Sequence, residues 1–493
     1  MITRRNILFL LFIFFYEVCL FAQVPQPLKQ FLARPEMRGA SCAILIKEVK
    51  TGQVLYQYDE ERSLIPASVM KLVTTATALE ILGTDFRFQT TLEYDGKIAN
   101  GVLEGNLYIR GGGDPTLGSA YFSADRNNYH PKENTFIPEW IGALKKAGIR
   151  SIKGRVIADE SIFDSEGVSR KWLYEDMGSY YGSGSYGISV FDNQYKLYLR
   201  TETAGSKPRI IESVPDMPDM QYHNYLTAAA VSTDSSYIMG APFAMERFLY
   251  GVVPTGRERY QLRGDIPDPA LFLADYLTKQ LKEAGIETTM APSCYRLLNE
   301  AGRWSPGERK TLATTYSPPL QEIAKVTNEV SQNLYADALL KTIGLAYKPK
   351  PGEVISSADR GVNILRTYWQ KKGLNTSPLF IYDGSGLSAM DKLTASFICD
   401  LLIYMTNSSA IGTSFIQGIP QAGIDGSVRN FLRGSRLQGN SRLKSGSMTA
   451  VKSYAGYVDK DGKKYAVVFM VNNYTGAGNP MTRAIEQLIL SLL

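Results

Sequence analysis

The chain has 493 residues, and at roughly 150 residues per domain this length predicts about three domains. Hydrophobic residues make up 44% and charged residues 21%, which excludes a disordered or collagen-like chain, and the net charge of +6 includes no long basic run that would bind nucleic acid. With two histidines and four cysteines, the chain lacks ligands for a His- or Cys-based zinc site, so we predict neither a metal nor a cofactor, and a base other than histidine if it is a hydrolase.

Residues 1–22 have the pattern of a signal peptide, with basic Arg4–Arg5, an apolar stretch at Ile7–Phe15 and the small residue Ala22 before the cleavage point. The stretch is too short to span a bilayer securely and Glu17 interrupts it, although an uncleaved anchor is the alternative. We therefore expect export to the periplasm or another extracytoplasmic space, with no stable membrane span after the leader is cleaved.

Removal of the leader leaves Cys42, Cys294 and Cys399, which allow at most one disulfide. Cys42 lies in an apolar strand pattern and Cys399 in a helical one, so we expect both to be buried thiols. Whether any two of the three cysteines form a disulfide is left open.

The first predicted elements are two strands within residues 41–58, which flank a Lys-Thr-Gly turn. A helix follows between Ser68 and Gly83, because proline and serine precede it, glycine ends it, and apolar residues recur at helical spacing.

The stretch from about 86 to 310 has a different pattern, in which short strands alternate with Gly, Asn and Asp turns. Helices are predicted there only near 136–147 and at 268–285. We interpret this stretch as β-rich inserted material.

Helical patterns return at 320–343, 356–372 and 391–406, before a strand pair at 453–472 and a last helix at 479–493. Strands therefore open and close the chain, and helices lie between them. This order predicts an α/β (α+β) fold, in which an antiparallel sheet flanked by helices is interrupted by a long insertion.

Ser68 and Lys71 form the first candidate site, an S-x-x-K pattern at a helix start. The spacing i, i+3 places both side chains on one helix face, where a neutral lysine accepts the proton of a nucleophilic serine. The alternative for this pattern alone is an N-cap serine beside a solvated lysine.

Two further patterns follow in the chain, Ser331-Gln332-Asn333 in the helical region and Lys444-Ser445-Gly446-Ser447 before the terminal strands. Taken alone, the first is better explained as a polar turn between helices and the second as an exposed loop. The order S-x-x-K, S-x-N, K-[ST]-G is nevertheless the active-site set of penicillin-recognising serine acyltransferases, and no G-x-S-x-G elbow of an α/β-hydrolase is present.

Several longer segments strengthen this interpretation. They are Arg110–Leu117 (RGGGDPTL), Tyr180–Gly182 (YYG), Ser189–Asn193 (SVFDN), Asp383–Ser388 (DGSGLS) and Ala422–Ser427 (AGIDGS). With the three motifs, they make the chain resemble the class C low-molecular-mass penicillin-binding proteins, the D-alanyl-D-alanine carboxypeptidase/endopeptidases of the type-4 group.

The resemblance implies a penicillin-binding transpeptidase-like domain that is split by two nested β-rich inserted domains. The catalytic domain is expected at 23–85 and 311–493, the first inserted domain at 86–195 and 256–310, and the second at 196–255.

The resemblance also implies roles for the motif residues. Ser68 is the acylated nucleophile, Lys71 accepts its proton, Ser331 relays a proton to the leaving group, and Lys444 keeps the local field positive. The amide of Asn333 binds Lys71 and the peptide carbonyl of the substrate.

The third motif is expected to bind substrate. The hydroxyls of Ser445 and Ser447, on either side of Gly446, hold the terminal carboxylate, and the backbone N–H groups of Ser68 and Ser447 form the oxyanion hole.

Some positions depart from the family pattern. Gln332 replaces a common Asp, and Ala389 stands where some relatives carry an arginine that recognises a diaminopimelate side chain. Asp159 resembles an acidic residue that contacts the same side chain, although a β-turn aspartate explains it equally well.

The function implied is an exported serine DD-peptidase that hydrolyses D-Ala-D-Ala termini, and with them D-Ala–meso-diaminopimelate cross-links, in peptidoglycan. Its partners are stem peptides, with β-lactams as acylating inhibitors. The alternatives are a β-lactamase or esterase on the same fold and an inactive cell-wall-binding protein.

Overall fold

The structure is a computed structural model that describes residues 25–123, 136–305 and 307–493. The predicted signal peptide lies outside these residues. Within the described ranges, no helix has the length and apolar character needed to span a membrane.

The helices follow the predicted positions closely, with three short additions. They are α1 (Gln26–Leu32), α2 (Met70–Leu82), α3 (Ile137–Lys146), α4 (Pro269–Glu283), α5 (Tyr295–Glu300), α6 (Leu320–Glu329), α7 (Asn333–Gly344), α8 (Ser357–Lys371), α9 (Ala395–Asn407), α10 (Gly412–Gln417) and α11 (Gly478–Leu492). The additions are α1, α5 and α10, none of which exceeds two turns.

The strands fall at both ends of the chain and throughout the predicted insertion. They are β1 (Ser41–Glu48), β2 (Val54–Tyr58), β3 (Gln89–Tyr94), β4 (Lys97–Ala99), β5 (Val102–Glu104), β6 (Leu107–Arg110), β7 (Ser151–Ile152), β8 (Val156–Asp159), β9 (Gln194–Thr201), β10 (Arg209–Val214), β11 (Gln221–Asn224), β12 (Thr227–Ala229), β13 (Tyr237–Met239), β14 (Glu246–Tyr250), β15 (Val252–Pro254), β16 (Arg257–Asp265), β17 (Glu287–Thr288), β18 (Ser293–Cys294), β19 (Lys310–Tyr316), β20 (Ser441–Met448), β21 (Val451–Lys460) and β22 (Lys463–Asn472).

The central sheet joins the two ends of the chain in the order β2-β1-β22-β21-β20, with every pair antiparallel. The β21–β22 hairpin turns at Asp461 and Gly462, which both have positive φ, at 51° and 74°. Asp-Gly is the preferred pair for such a turn, because its backbone twist matches that of the strands. The predicted terminal strand pair is therefore confirmed.

Both faces of this sheet are covered, which explains its apolar strands. Ala43 and Leu45 of β1 join a core with α2, α6, α7, α8 and α9, whereas Ile44 and Ile46 pack with α1 and α11 on the opposite face. Alternate residues thus enter different helix layers, as the two-residue period of a strand requires. The predicted fold class, an antiparallel sheet flanked by helices, is confirmed.

Helix α2 lies in the centre of the first core and carries the S-x-x-K lysine. Its residues from Met70 to Leu79 are all buried, which is the pattern of a helix surrounded by protein. Gly83 ends the helix with φ of 86°, as the sequence predicted.

The segment between α2 and α6 builds separate sheets, the largest ordered β18-β8-β6-β3-β19. One apolar core, running from Leu92 to Cys294, packs these sheets against α3 and α4. Strand β19 crosses the boundary predicted near residue 310, because it pairs with β3. The division into two nested domains stays a prediction.

The three cysteines of the described chain are buried free thiols. This result confirms the expectation for Cys42 and Cys399.

Two glycines test how closely α7 packs against α8. Helix α7 begins at Asn333, the last residue of the S-x-N motif. A Cβ added at Gly361 of α8 would collide with the Leu340 carbonyl of α7, whereas one at Gly142 of α3 would meet no atom within 4 Å. We predict that Gly361→Ala lowers the free energy of unfolding by about 1–3 kcal/mol. Gly142→Ala should raise it by about 0.5–1 kcal/mol. Denaturant unfolding measures both, and equal effects would contradict this packing.

Candidate active site

Ser68 lies in a 3-10 turn, Ala67–Val69, that leads directly into α2. Its neighbours on both sides are buried, while Ser68 itself is partly exposed. It makes no side-chain cap to the helix, so the interpretation of Ser68 as an ordinary N-cap does not hold. Ser68 instead lines a cavity.

Lys71 is completely buried one turn further along. Its Nζ lies 2.9 Å from Ser68 Oγ, 2.6 Å from Asn333 Oδ1 and 2.7 Å from the Ser385 carbonyl oxygen. Burial lowers the pKa of Lys71 from 10.5 to about 8, with Asp337 opposing the shift most strongly among nearby acids. Lys71 is therefore close to the neutral form that a base requires.

The S-x-N motif lies where the predicted helix 320–343 breaks. Helix α6 ends at Glu329 and α7 begins at Asn333, and Ser331 between them has φ of +61°. This left-handed conformation is unfavourable for a serine and typical of functional sites. The break, which matches the alternative of a polar turn between helices, places Ser331 on the cavity and Asn333 against Lys71.

The Asn333 amide has a fixed orientation. Its Nδ2 donates to the backbone carbonyl of Tyr181, at 2.8 Å, while its Oδ1 accepts from Lys71. Tyr181 belongs to the inserted segment, so that segment directly orients a side chain of the candidate site.

Lys444 lies within β20, the edge strand of the central sheet. The sequence placed this motif just before the terminal strands, and the alternative of an exposed loop does not hold. Lys444 is fully buried, and its Nζ donates to Ser331 Oγ at 3.0 Å and to the Ser445 carbonyl at 2.7 Å. Burial, and then the charge of Lys71, hold the pKa of Lys444 well below 10.5. Two lysines and two serines thus form two amine–hydroxyl pairs.

Strand β20 passes very close to the Ser68 turn at Gly446. A Cβ at this position would lie 2.6 Å from the Pro66 carbonyl oxygen and 3.0 Å from the Ser68 nitrogen. Only glycine allows this approach. The flanking hydroxyls of Ser445 and Ser447 line the same cavity as Ser68, which has a volume of about 550 Å³.

The DGSGLS segment fixes the position of a group that contacts Lys71, the Ser385 carbonyl. The Asp383 carboxylate accepts from the backbone N–H groups of Ser385, Gly386 and Ser388. It also accepts from Trp172 Nε1 of the inserted segment, at 2.7 Å. This network holds the Ser385 carbonyl against Lys71.

Asp159 lies elsewhere, at the end of β8. Its carboxylate accepts from Arg309 Nη1 at 2.7 Å and is nearly buried. The structure therefore places it in an internal ion pair and not with the residues around Ser68. Its substrate-binding role stays a prediction, and this ion pair counts against it.

With the geometry established, the sequence was compared with known proteins. Residues 24–492 match the D-Ala-D-Ala carboxypeptidase 3 (S13) family. The chain belongs to this family. It is accordingly a serine-type D-Ala-D-Ala carboxypeptidase, which confirms the resemblance drawn from the motifs.

Individual relatives cover nearly the same length. The chain is 25% identical to D-alanyl-D-alanine carboxypeptidase DacB of Haemophilus influenzae, over 89% of this chain and 86% of the relative. It is also 25% identical to a D-alanyl-D-alanine carboxypeptidase of Actinomadura sp. (strain R39), over 95% and 84%.

The crystal structure of penicillin binding protein 4 (dacB) from Haemophilus influenzae has a similar fold. It superimposes with a TM-score of 0.77 at 22% identity, covering 95% of this chain and 98% of that one.

Four groups of this carboxypeptidase site have roles that the sequence did not predict. Tyr181 belongs to the YYG segment, but the role of its carbonyl, like that of Trp172, depends on contacts across the fold. Lys452 of β21 also lines the cavity and donates to Ser447 Oγ at 2.8 Å. Ser427, 2.9 Å from Ser445 Oγ, ends the AGIDGS segment and was within reach of the motif search.

The contact at Gly446 generates a direct test. Gly446→Ala should move β20 away from the Ser68 turn and lower kcat/KM for D-Ala release by roughly 100-fold, the order expected for a 1 Å misplacement. The assay is D-Ala release from a D-Ala-D-Ala peptide, with Gly142→Ala as the matched control. Wild-type activity in a folded Gly446→Ala variant, judged by its thermal unfolding midpoint, would contradict the geometry.

Proposed function

We propose that this carboxypeptidase is exported and removes the terminal D-Ala of peptidoglycan stem peptides through an acyl-serine intermediate on Ser68. The observation that carries the proposal is the 2.9 Å contact between Ser68 Oγ and the buried Nζ of Lys71. Residues 1–22, with their leader pattern, support export.

The proposed acylation begins from neutral Lys71. Two of its N–H bonds then donate to Asn333 Oδ1 and the Ser385 carbonyl, and its lone pair accepts from the Ser68 hydroxyl. Ser68 Oγ attacks the carbonyl carbon of the penultimate D-Ala as its proton passes to Lys71.

Departure of D-Ala needs a proton on its nitrogen. Ser331 lies on the cavity with Lys444 3.0 Å behind it. We propose that the Ser331 hydroxyl delivers this proton as the C–N bond breaks, and is reprotonated by Lys444. Burial and the charge of Lys71 lower the pKa of Lys444, so its ammonium form gives up a proton to Ser331 more readily than a solvated lysine would.

Deacylation returns the enzyme to its starting state. A water oxygen attacks the ester carbonyl, and the C–Oγ bond breaks. One proton of this water passes to Ser68 and the other stays on the new carboxyl group of the shortened peptide, while Lys71 releases its acquired proton to solvent and Lys444 takes one up. In both half-reactions the N–H groups of Ser68 and Ser447 are proposed to stabilise the oxyanion.

We extend the proposal to two further reactions. Opening of D-Ala–meso-diaminopimelate cross-links requires the same acyl transfer with a larger leaving group, although Ala389 removes the arginine that some relatives use to recognise it. Acylation by β-lactams is supported by the crystal structure of the Haemophilus penicillin binding protein 4 complexed with a β-lactam.

Intact-mass spectrometry tests the acyl-serine mechanism. After incubation with penicillin, we expect one covalent adduct on Ser68 in the wild type and none in Ser68→Ala. A long-lived adduct is the peptidase result, whereas rapid loss with penicillin turnover would favour a β-lactamase. If no β-lactam forms an adduct with the protein, the acyl-serine mechanism is refuted and the alternative of an inactive cell-wall-binding protein is favoured.

The pKa of Lys71 predicts the pH dependence of acylation. Below about 8 Lys71 is an ammonium that cannot accept a proton, so the acylation rate should rise as pH increases through this value. Asp337, whose own pKa burial raises to about 7, is ionised there and favours the ammonium. Asp337→Asn should therefore shift the rise to lower pH.

The measurement is the rate of penicillin adduct formation between pH 6 and 10. Asp275→Asn on the surface of α4 is the control and should leave the profile unchanged. A rate independent of pH across this range would refute Lys71 as the proton acceptor.

A further inference from the structure

Lys452 is one of two cationic side chains that line the cavity, with Arg483, and no motif includes it. It lies on β21 directly opposite Ser447 of β20, in the antiparallel register that pairs these two residues. Its Nζ donates to Ser447 Oγ at 2.8 Å, and both side chains line the cavity that contains Ser68. An ammonium therefore stands beside a hydroxyl already proposed to bind the substrate.

In the part of the chain that the structure describes, Lys452 has no carboxylate within salt-bridge distance. Burial lowers its pKa below 10.5. Glu486 lines the same cavity, but one of its carboxylate oxygens accepts from the Leu432 N–H at 2.6 Å. A partly desolvated cation of this kind is stabilised by an anion from outside the chain.

Lys444 is not placed to supply that charge to a substrate. Its side chain is fully buried, it is not among the side chains that line the cavity, and its Nζ is engaged with Ser331 Oγ and the Ser445 carbonyl. The exposed hydroxyls of the K-S-G strand are neutral. Of the two lysines on the hairpin at this site, Lys452 is the one that reaches the open cavity.

We propose that Lys452 is a specificity-determining residue that binds the free carboxylate of the leaving group, together with the hydroxyl of Ser447. This inference rests on the proposed acyl transfer from Ser68. An ammonium carries three donors, so one can hold Ser447 while the others bind the carboxylate. Such charge-assisted hydrogen bonds are about twice as strong as those from hydroxyls alone. Lys452 thus selects leaving groups with a carboxylate beside the scissile bond.

Two matched thioesters test this selection without changing the acyl group. One is an acyl-D-alanine thioester of thioglycolate, whose leaving group carries a carboxylate. The other is the corresponding thioglycolamide, which is neutral and of nearly the same size. The readout is the ratio of kcat/KM for the acid to kcat/KM for the amide.

Lys452→Met should lower this ratio by about 10- to 100-fold, the range for a lost hydrogen bond to a charged group. Lys452→Arg retains the charge and should restore most of the ratio. Lys460→Met, at the far end of the same strand, is the control and should leave the ratio at the wild-type value.

The outcomes separate this inference from the proposed function. An unchanged ratio in Lys452→Met overturns the role of Lys452, even where the wild type hydrolyses both thioesters. An equal loss on both substrates also overturns it, since that result assigns Lys452 a structural role. Failure of the wild type to hydrolyse either thioester, with no penicillin adduct on Ser68, would instead refute the acyl-serine proposal.

Discussion

The whole site depends on the burial of one amine, Nζ of Lys71. A lysine that is fully removed from water loses its hydration and is stable only if nearby groups replace it. Three acceptors surround this amine, and they come from the 3-10 turn at Ser68, the start of α7 at Asn333 and the DGSGLS loop at Ser385. Segments far apart in sequence must therefore meet at one atom.

The inserted segment helps to maintain this meeting point. The Tyr181 carbonyl fixes the Asn333 amide, and Trp172 donates to Asp383, whose carboxylate holds the Ser385 loop. Both contacts join the β-rich segment between α2 and α6 to residues outside it, Asn333 at the start of α7 and Asp383 in the DGSGLS loop. The segment between the first and second motifs thus contributes to the orientation of Lys71. Loss of either contact should therefore disturb the position of Lys71 beside Ser68, the proposed nucleophile.

Features that depend on residues close together in sequence were predicted correctly, whereas features that depend on contacts between distant segments were not. The relation of Ser68 to Lys71 is local, because helix geometry places residues i and i+3 on one face. The Asp-Gly hairpin and most helices were also predicted, since their signals are local in sequence too. The break at Ser331 was considered only as the alternative of a polar turn between helices, and its positive φ, uncommon for a serine, was not predicted. Tyr181 belongs to the YYG segment, but it acts through a backbone carbonyl, and the residue type does not reveal that role.

The β20–β21 hairpin links the chemistry to the proposed specificity. Its register pairs Lys444 with Ala455 and Ser447 with Lys452. A slip of one residue would turn each side chain to the opposite face, and would remove Lys444 from Ser331 and Lys452 from the cavity in one step. One pair of strands therefore positions both the lysine of the proposed proton relay and the site proposed for the carboxylate. The chemistry requires these two positions to lie close together, because in a terminal amino acid the amine and the carboxylate are joined through a single carbon.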